Sequence, residues 1–344
     1  MKALLFVTGR GVGGDAVLAI NTALALTEKG IDCEYVLDNH APAYLFKKKE
    51  LPFHKTSIPQ AGGHAASKVT ILKAGLKAIK ESRSAAKLCR KVQPDIVVGI
   101  IGGGAIIGCT AARMAGIPSV GMVATPTDSK VVSQMTTTIA LPESPLFHYP
   151  HKKNNYPSYM PINPAITQGD REQALKTMSA GFDKNLPTIL FSSGSTLFEK
   201  MAMAPSTVQD ELDANLLVVG DPLEEIYHKY LESVLHLGYV DNLPDLYRLA
   251  DVAILSDDGL MIHEALACQL PTIALTRVKY GRYHNMASIF PGSVVESGLE
   301  ELSKKIREIF LEEDEIRVKT DKFAREILQA PSRIADIIYA KAKE

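Results

Sequence analysis

Long apolar runs are missing from this 344-residue chain. The first one, in MKALLFVTGRGVGG, covers only five residues before Thr8. That is the length of a first β-strand, too short for the apolar core of a signal peptide, and no other segment approaches a membrane span. Cysteine is sparse: Cys33, Cys89, Cys109 and Cys268 are far apart, with no CxxC pair and no neighbouring histidine. This argues against a disulfide framework or a structural zinc site and for a reduced, cytoplasmic setting. Aromatic residues make up 6%, against 46% hydrophobic and 22% charged, the balance of an ordinary soluble α/β protein. A spaced DxD pair is also missing. Asp257 and Asp258 adjoin, so they are expected to cap the helix that follows, and no metal site is expected. A nucleic-acid partner is not expected either.

The length fits two domains of about 150–180 residues each. A formal net charge of −1 conceals an asymmetry: residues 1–160 carry 19 Lys and Arg against 10 Asp and Glu, and the remainder 19 against 29. The first half is thus basic and suited to an anionic partner.

Residues 2–8 read as a strand, followed by Gly9-Arg10-Gly11-Val12-Gly13-Gly14-Asp15, a helix over 16–29 and a strand over 32–37. This is a βαβ unit with a glycine loop at its first crossover, and Asp38 falls where a ribose ligand is expected. A helix over 66–92 carries eight basic residues and one acid, Glu81. A strand over 95–101, Gly102-Gly103-Gly104, a helix over 105–115 and a strand over 119–123 form a second such unit. Two glycine loops at the carboxyl ends of strands frame an anion-binding site. Six prolines between 141 and 167 mark an inter-domain crossing without packed elements.

The second half repeats the pattern. A strand over 187–191 leads to the turn Ser192-Ser193-Gly194-Ser195-Thr196 and a helix to 204. A strand over 215–219, a helix over 223–232, a strand over 234–237 and a helix over 243–250 follow. A strand over 252–255 then meets the turn Ser256-Asp257-Asp258-Gly259, a helix over 260–268 and a strand over 271–275. In parallel sheets ligands sit beyond the carboxyl ends of strands, against helix N-termini. The turn from Ser256 to Met261 is therefore the first place for a phosphate, with Glu264 in reach of a sugar hydroxyl. Helices over 300–310, 319–328 and 332–343 close the chain, the last two separated by Pro331.

These landmarks, in this order, resemble the MurG-like glycosyltransferases of family 28, across nearly the whole chain. That family's GxGGH turn corresponds to Gly11-Val12-Gly13-Gly14-Asp15. Its second glycine loop and GIPV segment correspond to Gly102-Gly103-Gly104 and Gly116-Ile117-Pro118, and its linker Asn-Pro to Asn163-Pro164. Its GGSQGA turn corresponds to Ser193-Gly194-Ser195-Thr196, and its uracil-packing segment to Gly238-Tyr239-Val240. Its SRxGAxTxxE stretch corresponds to the turn at Gly259, with Glu264 at the ribose.

The resemblance implies the GT-B architecture, an α/β fold with two Rossmann-like domains facing a cleft. An acceptor domain is expected over 1–150, a linker over 151–170 and a nucleotide-sugar domain over 171–318. Terminal helices over 319–344 are expected to cross back to the first domain. The implied reaction is metal-independent, inverting transfer of a sugar, GlcNAc foremost, from a UDP-sugar to a hydroxyl. The acceptor would be lipid-linked or phosphorylated and presented at the inner face of the membrane, a place the basic helix suits. Donor contacts are implied at Ser193, Gly194, Ser195, Thr196, Tyr239, Val240, Gly259, Leu260, Met261, Glu264, His284 and Asn285. Acceptor or anion contacts are implied at Gly11, Gly13, Gly14, Gly103 and Gly104.

Three departures mark this chain. Asp15 replaces the family's catalytic-loop histidine; as a carboxylate it can act as the base, or cap the helix it precedes. Asp257-Asp258-Gly259 replaces an Arg-containing turn, and Arg10 is a candidate for the missing cation. Tyr283-His284-Asn285 replaces Asn-His-Gln. The Ser-Asp-Asp-Gly turn also aligns with that of UDP-GlcNAc 2-epimerases, but their GTRPE and HRREN segments have no counterpart here. A non-catalytic nucleotide-sugar-binding protein is the third reading.

Overall fold

In the computed structural model of the chain, residues 1–9, 13–58, 68–142, 154–178, 181–257, 259–279 and 285–344 are described, with the backbone alone for 68–79. They divide into two compact units. One comprises Met1–Pro161 with Gln329–Glu344, and the other Ile162–Leu328.

The first unit contains β1 (Lys2–Val7), α1 (Gly14–Thr27), β2 (Asp32–Asp38), α2 (Tyr44–Lys48), β3 (Phe53–Thr56), α3 (Lys68–Val92), β4 (Ile96–Ile100) and α4 (Ile101–Ala115). It continues with β5 (Ser119–Val123), α5 (Pro126–Val132), β6 (Thr137–Ala140) and β7 (Asn155–Pro157). All seven strands are parallel, in the order β3-β2-β1-β4-β5-β6-β7. Ala3–Val7 and β4 are buried throughout, as strands covered by helices on both faces must be. The proline-rich stretch differs from expectation, because β7 lies inside it and pairs with β6. Proline terminates that strand at an edge, where no further donor is needed.

In the second unit, α6 (Arg171–Thr177), β8 (Thr188–Leu197), α7 (Glu199–Met203), β9 (Asn215–Pro222) and β10 (Leu235–His236) come first. They are followed by α8 (Leu243–Leu249), β11 (Val252–Ser256), α9 (Leu260–Ala267), β12 (Thr272–Leu275), α10 (Met286–Ile289), β13 (Val294–Ser297) and α11 (Leu302–Leu311). The sheet order is β10-β9-β8-β11-β12-β13, again all parallel. Its core joins Ile189, Phe191, Val218, Ile254 and Ile273 to Leu302 and Ile306 of α11. The helix expected over 223–232 is a 3₁₀ segment, Glu225–Tyr230.

The last helix, α12 (Glu313–Ala342), runs unbroken through Pro331. A break there is the local expectation, since proline removes one helical hydrogen bond. Burial of Pro331 between Ala330 and Ile334 shows that packing overrides it.

Both sheets have the doubly wound strand order, in which helices change face between the first and fourth strands. That change opens a crevice beyond the carboxyl ends of the two strands, the switch point where such folds take ligands. In the first unit the switch point lies between β1 and β4, and in the second between β8 and β11.

Candidate active site

Three of the four glycine-containing turns singled out in the sequence follow β1, β4 and β11, and the fourth lies in the last part of β8. The two crevices differ in what already fills them.

In the first unit the β4 side is occupied by the protein itself. Gly102 N–H donates to Asp128 Oδ2 at 2.7 Å, and Asp128 also accepts from the Thr125 and Ala124 N–H groups. The Asp128 carboxyl is fully buried, which pushes its pKa up against the lowering effect of those donors. Thr8 Oγ1 donates to Ile101 O at 2.7 Å and accepts Gly104 N–H at 2.5 Å, stitching β1 to β4 across the switch point. Ile101, a β-branched residue, is held at φ +43°, a conformation that such residues seldom adopt.

The glycines of this loop serve close packing. A Cβ at Gly104 would lie 2.5 Å from Phe6 O, and one at Gly108 would lie 2.8 Å from Phe6 Cβ. Gly103 is likewise buried. The anion site expected at Gly103 and Gly104 is therefore corrected: one internal carboxylate and one hydroxyl take the N–H groups of Gly102 and Gly104. Asp38 needs the same correction, because its two oxygens accept the His40 and Ile58 N–H groups and hold the β2–β3 end together.

Among the described residues the β1 side stays open. Gly13 is the N-cap of α1 without a side-chain cap, and a Cβ at Gly13 or Gly14 would meet nothing within 4 Å. Asp15 lies inside the first helical turn and is therefore not the cap. Its carboxylate reaches back to Gly9, whose added Cβ would stand 3.3 Å from Asp15 Oδ2. Gly11 and Arg10 lie outside the described residues.

Among the described residues the second unit's crevice has open space on both sides, at Gly194 and at Gly259. β8 does not stop at Phe191 as expected; it runs to Leu197 through an irregularity between Ser192 and Thr196. Ser192 is buried and donates to Val219 O, and Ser193 Oγ donates to Thr196 O while accepting Phe198 N–H. These hydroxyls shape the turn, leaving Gly194, Ser195 and Thr196, all half-buried, as its accessible part. Gly194 has φ +100° and open space at its Cβ position.

Gly220, at φ +117°, closes the floor, since its Cβ would be 2.5 Å from Gly194 O. Its N–H donates to Gly238 O, and its carbonyl faces His236 Nε2 at 2.8 Å. Tyr239 follows at 40% exposure, and Val240 is half-buried.

Across the crevice, Gly259 is the N-cap of α9 at φ +110°, without a side-chain cap and with nothing within 4 Å of a Cβ. The capping role expected of Asp257 is corrected: it accepts Arg277 N–H at 2.9 Å and ties β11 to the end of β12. Asp258 lies outside the described residues. Leu260 is buried and Met261 half-buried.

Glu264, one turn into α9, is 9% exposed. Burial pushes its carboxyl up to about 7, and Tyr247 Oη, 3.4 Å away, is its hydrogen-bond donor. His263 packs in the core, edge-on to Phe290 at 5.3 Å. Asn285 is exposed and caps α10 through Ser288 N–H, so its NH₂ group remains for a ligand. His284 lies outside the described residues. A separate cavity of about 240 Å³, lined by Thr167, Arg248 and Cys268 among others, sits at the far end of α9 from this turn.

Sequence reasoning missed Thr8, Asp128 and Gly220. Only Gly220 carried a local signal, a glycine directly after the apolar run Leu216–Val219.

Comparison with known proteins agrees with this fold. Residues 5–121 match the glycosyltransferase family 28 N-terminal domain, and residues 196–311 match the glycosyl transferases group 1 domain. Solved structures of the same fold include MurG of Acinetobacter baumannii (TM-score 0.64, 14% identity, 99% of each chain). Another is Anabaena HepE in complex with UDP (0.64, 15%, 99% and 98%). Domain matches and fold together make this a glycosyltransferase of the GT-B class.

Within that class the chain is MurG-like. A relative from Symbiobacterium thermophilum, 25% identical over 293 residues, spans 78% of this chain and 75% of its own. It is named a UDP-N-acetylglucosamine–N-acetylmuramyl-(pentapeptide) pyrophosphoryl-undecaprenol N-acetylglucosamine transferase. One from Haemophilus influenzae with the same name is 25% identical over 288 residues, 79% and 77%. Neither is an epimerase.

Proposed function

We propose that this protein is a hexosyltransferase that moves GlcNAc from UDP-GlcNAc to a hydroxyl of a lipid-linked acceptor in building the cell envelope. The observation that carries the reading is the open switch point of the second unit, flanked by Gly194 and Gly259. There the uncapped start of α9 presents N–H groups to a diphosphate. Tyr239 is exposed for a base to pack on, and Glu264 stands one turn in for the ribose. The turns at Gly194, Ser195, Thr196, Leu260 and Met261, with the Asn285 amide, complete the donor contacts.

Transfer proceeds by direct displacement with inversion. Asp15 takes the acceptor hydroxyl's proton as the oxygen attacks the anomeric carbon. The bond to the diphosphate breaks, and the leaving charge is held by backbone N–H groups rather than by a metal. The uncapped α1 start at Gly13 and Gly14 is the acceptor side's anion contact.

Lys80, Arg83, Lys87 and Lys91 are exposed at three- and four-residue spacing on one face of α3. Such a face favours an anionic membrane surface by about 1 kcal/mol per cation, consistent with a peripheral enzyme at the cytoplasmic leaflet. Among the described residues no helix is long and apolar enough to cross a membrane.

The test is turnover of labelled UDP-GlcNAc with and without lipid-linked acceptor. Label appearing in the lipid fraction as a β-glycoside supports the proposal. UDP-GlcNAc that binds and emerges unchanged, or epimerised at C2, overturns it.

A further inference from the structure

The cavity of about 240 Å³ at the carboxyl end of α9 lies wholly within the second unit, away from the switch point. Four elements wall it: the 3₁₀ segment Pro164–Gln168, α8, the end of α9 and α12. They are tied to one another. A Cβ at Gly169 would stand 2.0 Å from Pro244 O, so glycine is what lets the 3₁₀ segment close on α8. Cys268 Sγ donates to Ile166 O at 3.4 Å, joining α9 to the same segment. Arg317 Nη1 of α12 donates to Gln269 O at 3.0 Å. The walls are thus fixed by the protein's own bonds, and the space equals that of about eight waters.

The lining is neutral except at one residue. Ile166, Pro244, Ala267 and Leu328 contribute carbon. The polar groups beside them already donate within the protein: Thr167 Oγ1 to Pro164 O, and Gln269 Nε2 to Asp321 Oδ1. Burial, and then the Glu264 charge, pushes the Cys268 thiol up to about 12, so it too stays neutral. Arg248 is the exception. Its charge acts on the Cys268 thiol, which places the guanidinium at the cavity. Among the described residues Arg248 has no hydrogen bond or ion pair. The acids three residues to either side are committed elsewhere, because Asp245 accepts the Asp170 N–H and Asp251 the Thr188 N–H. A guanidinium offers a planar fork of N–H groups that matches a carboxylate with two bonds. One such fork beside an apolar recess suits a ligand that is mostly carbon and is oriented by a single charge.

We infer that this cavity binds a small organic carboxylate, with its carboxylate on Arg248 and its apolar body against Ile166, Pro244, Ala267 and Leu328. The site is separate from the donor turns at Gly194 and Gly259, and the inference stands whether or not a nucleotide binds there.

The full-length protein, labelled at isoleucine and leucine methyls, is followed by NMR during titration with phenylacetate, phenylacetamide and inorganic phosphate. Phenylacetate should shift the Ile166 and Leu328 methyls saturably, in the millimolar range for a ligand of its size. Phenylacetamide keeps the ring without the charge, and phosphate keeps the charge without the ring. Both should bind about 10-fold more weakly or worse. Arg248→Gln, at an exposed position, should weaken phenylacetate by about 10-fold or more. Thr167→Phe, also at an exposed position, fills the recess and should abolish the shifts. Absence of shifts at both methyls overturns the inference. So does equal binding of phenylacetate and its amide, phosphate binding as tight as phenylacetate, or a phenylacetate titration unchanged in either variant.

Discussion

Glu264 offers a test of the second unit that can be worked through in numbers. Its carboxyl is 9% exposed, has the distant Tyr247 hydroxyl as its donor, and is raised by burial from 4.5 to about 7. Between those two pH values the folded chain holds a proton that the unfolded chain has lost. The stabilisation from this group is therefore complete below pH 4.5 and disappears as pH rises through 7. At about 1.4 kcal/mol per tenfold change in proton affinity, the difference amounts to about 3 kcal/mol. Glu264→Gln keeps the shape and remains neutral. In urea denaturation it should match wild type at pH 4.5 and exceed it by about 3 kcal/mol at pH 8. A ribose hydroxyl donating to this carboxylate favours the charged form, so nucleotide binding near pH 6.5 should release a proton. Calorimetry in two buffers of different ionisation heat measures that release, and Glu264→Gln should abolish it. A stability difference that does not change with pH, or proton release that survives the substitution, refutes the reasoning.

The filled β4 side of the first unit's crevice predicts that Thr8→Val, which strands the Gly104 N–H, costs about 1–3 kcal/mol in chemical denaturation without altering UDP affinity. Gly220→Ala drives a Cβ toward Gly194 O from a left-handed backbone, and should lose about 2–4 kcal/mol together with nucleotide binding. Asp15→Ala should lower the transfer rate about 10²- to 10⁴-fold while calorimetry finds UDP affinity unchanged; undiminished transfer would remove Asp15 as the base. Charge reversal of Lys80, Arg83 and Lys87 should release the protein from anionic vesicles in sedimentation at low salt, and binding that persists would show the α3 face is not used.

Much of the fold is legible in the sequence because it is local. Short apolar runs, each followed by a glycine-containing turn and a helical repeat, mark β1, β4, β8 and β11 and hence both switch points. What each turn does is set by distant neighbours. Gly102-Gly103-Gly104 reads as an anion cradle until Asp128, 26 residues on, accepts the Gly102 N–H. Asp38 reads as a ribose ligand until the Ile58 N–H is seen at its carboxylate. β7 and the continuity of α12 through Pro331 were hidden for the opposite reason. Proline is a strong local breaker, and only strand pairing and core packing, which the sequence does not display, outweigh it.

The account turns on the nucleotide occupying the switch point of the second unit. Amide hydrogen exchange with and without UDP measures this directly. The account predicts slowed exchange in segments 193–198, 238–240 and 259–264, and unchanged exchange at Gly102 and Gly104, whose N–H groups are already bonded within the protein. Protection confined to the first unit, or none at Gly194 and Gly259 under saturating UDP, would contradict it.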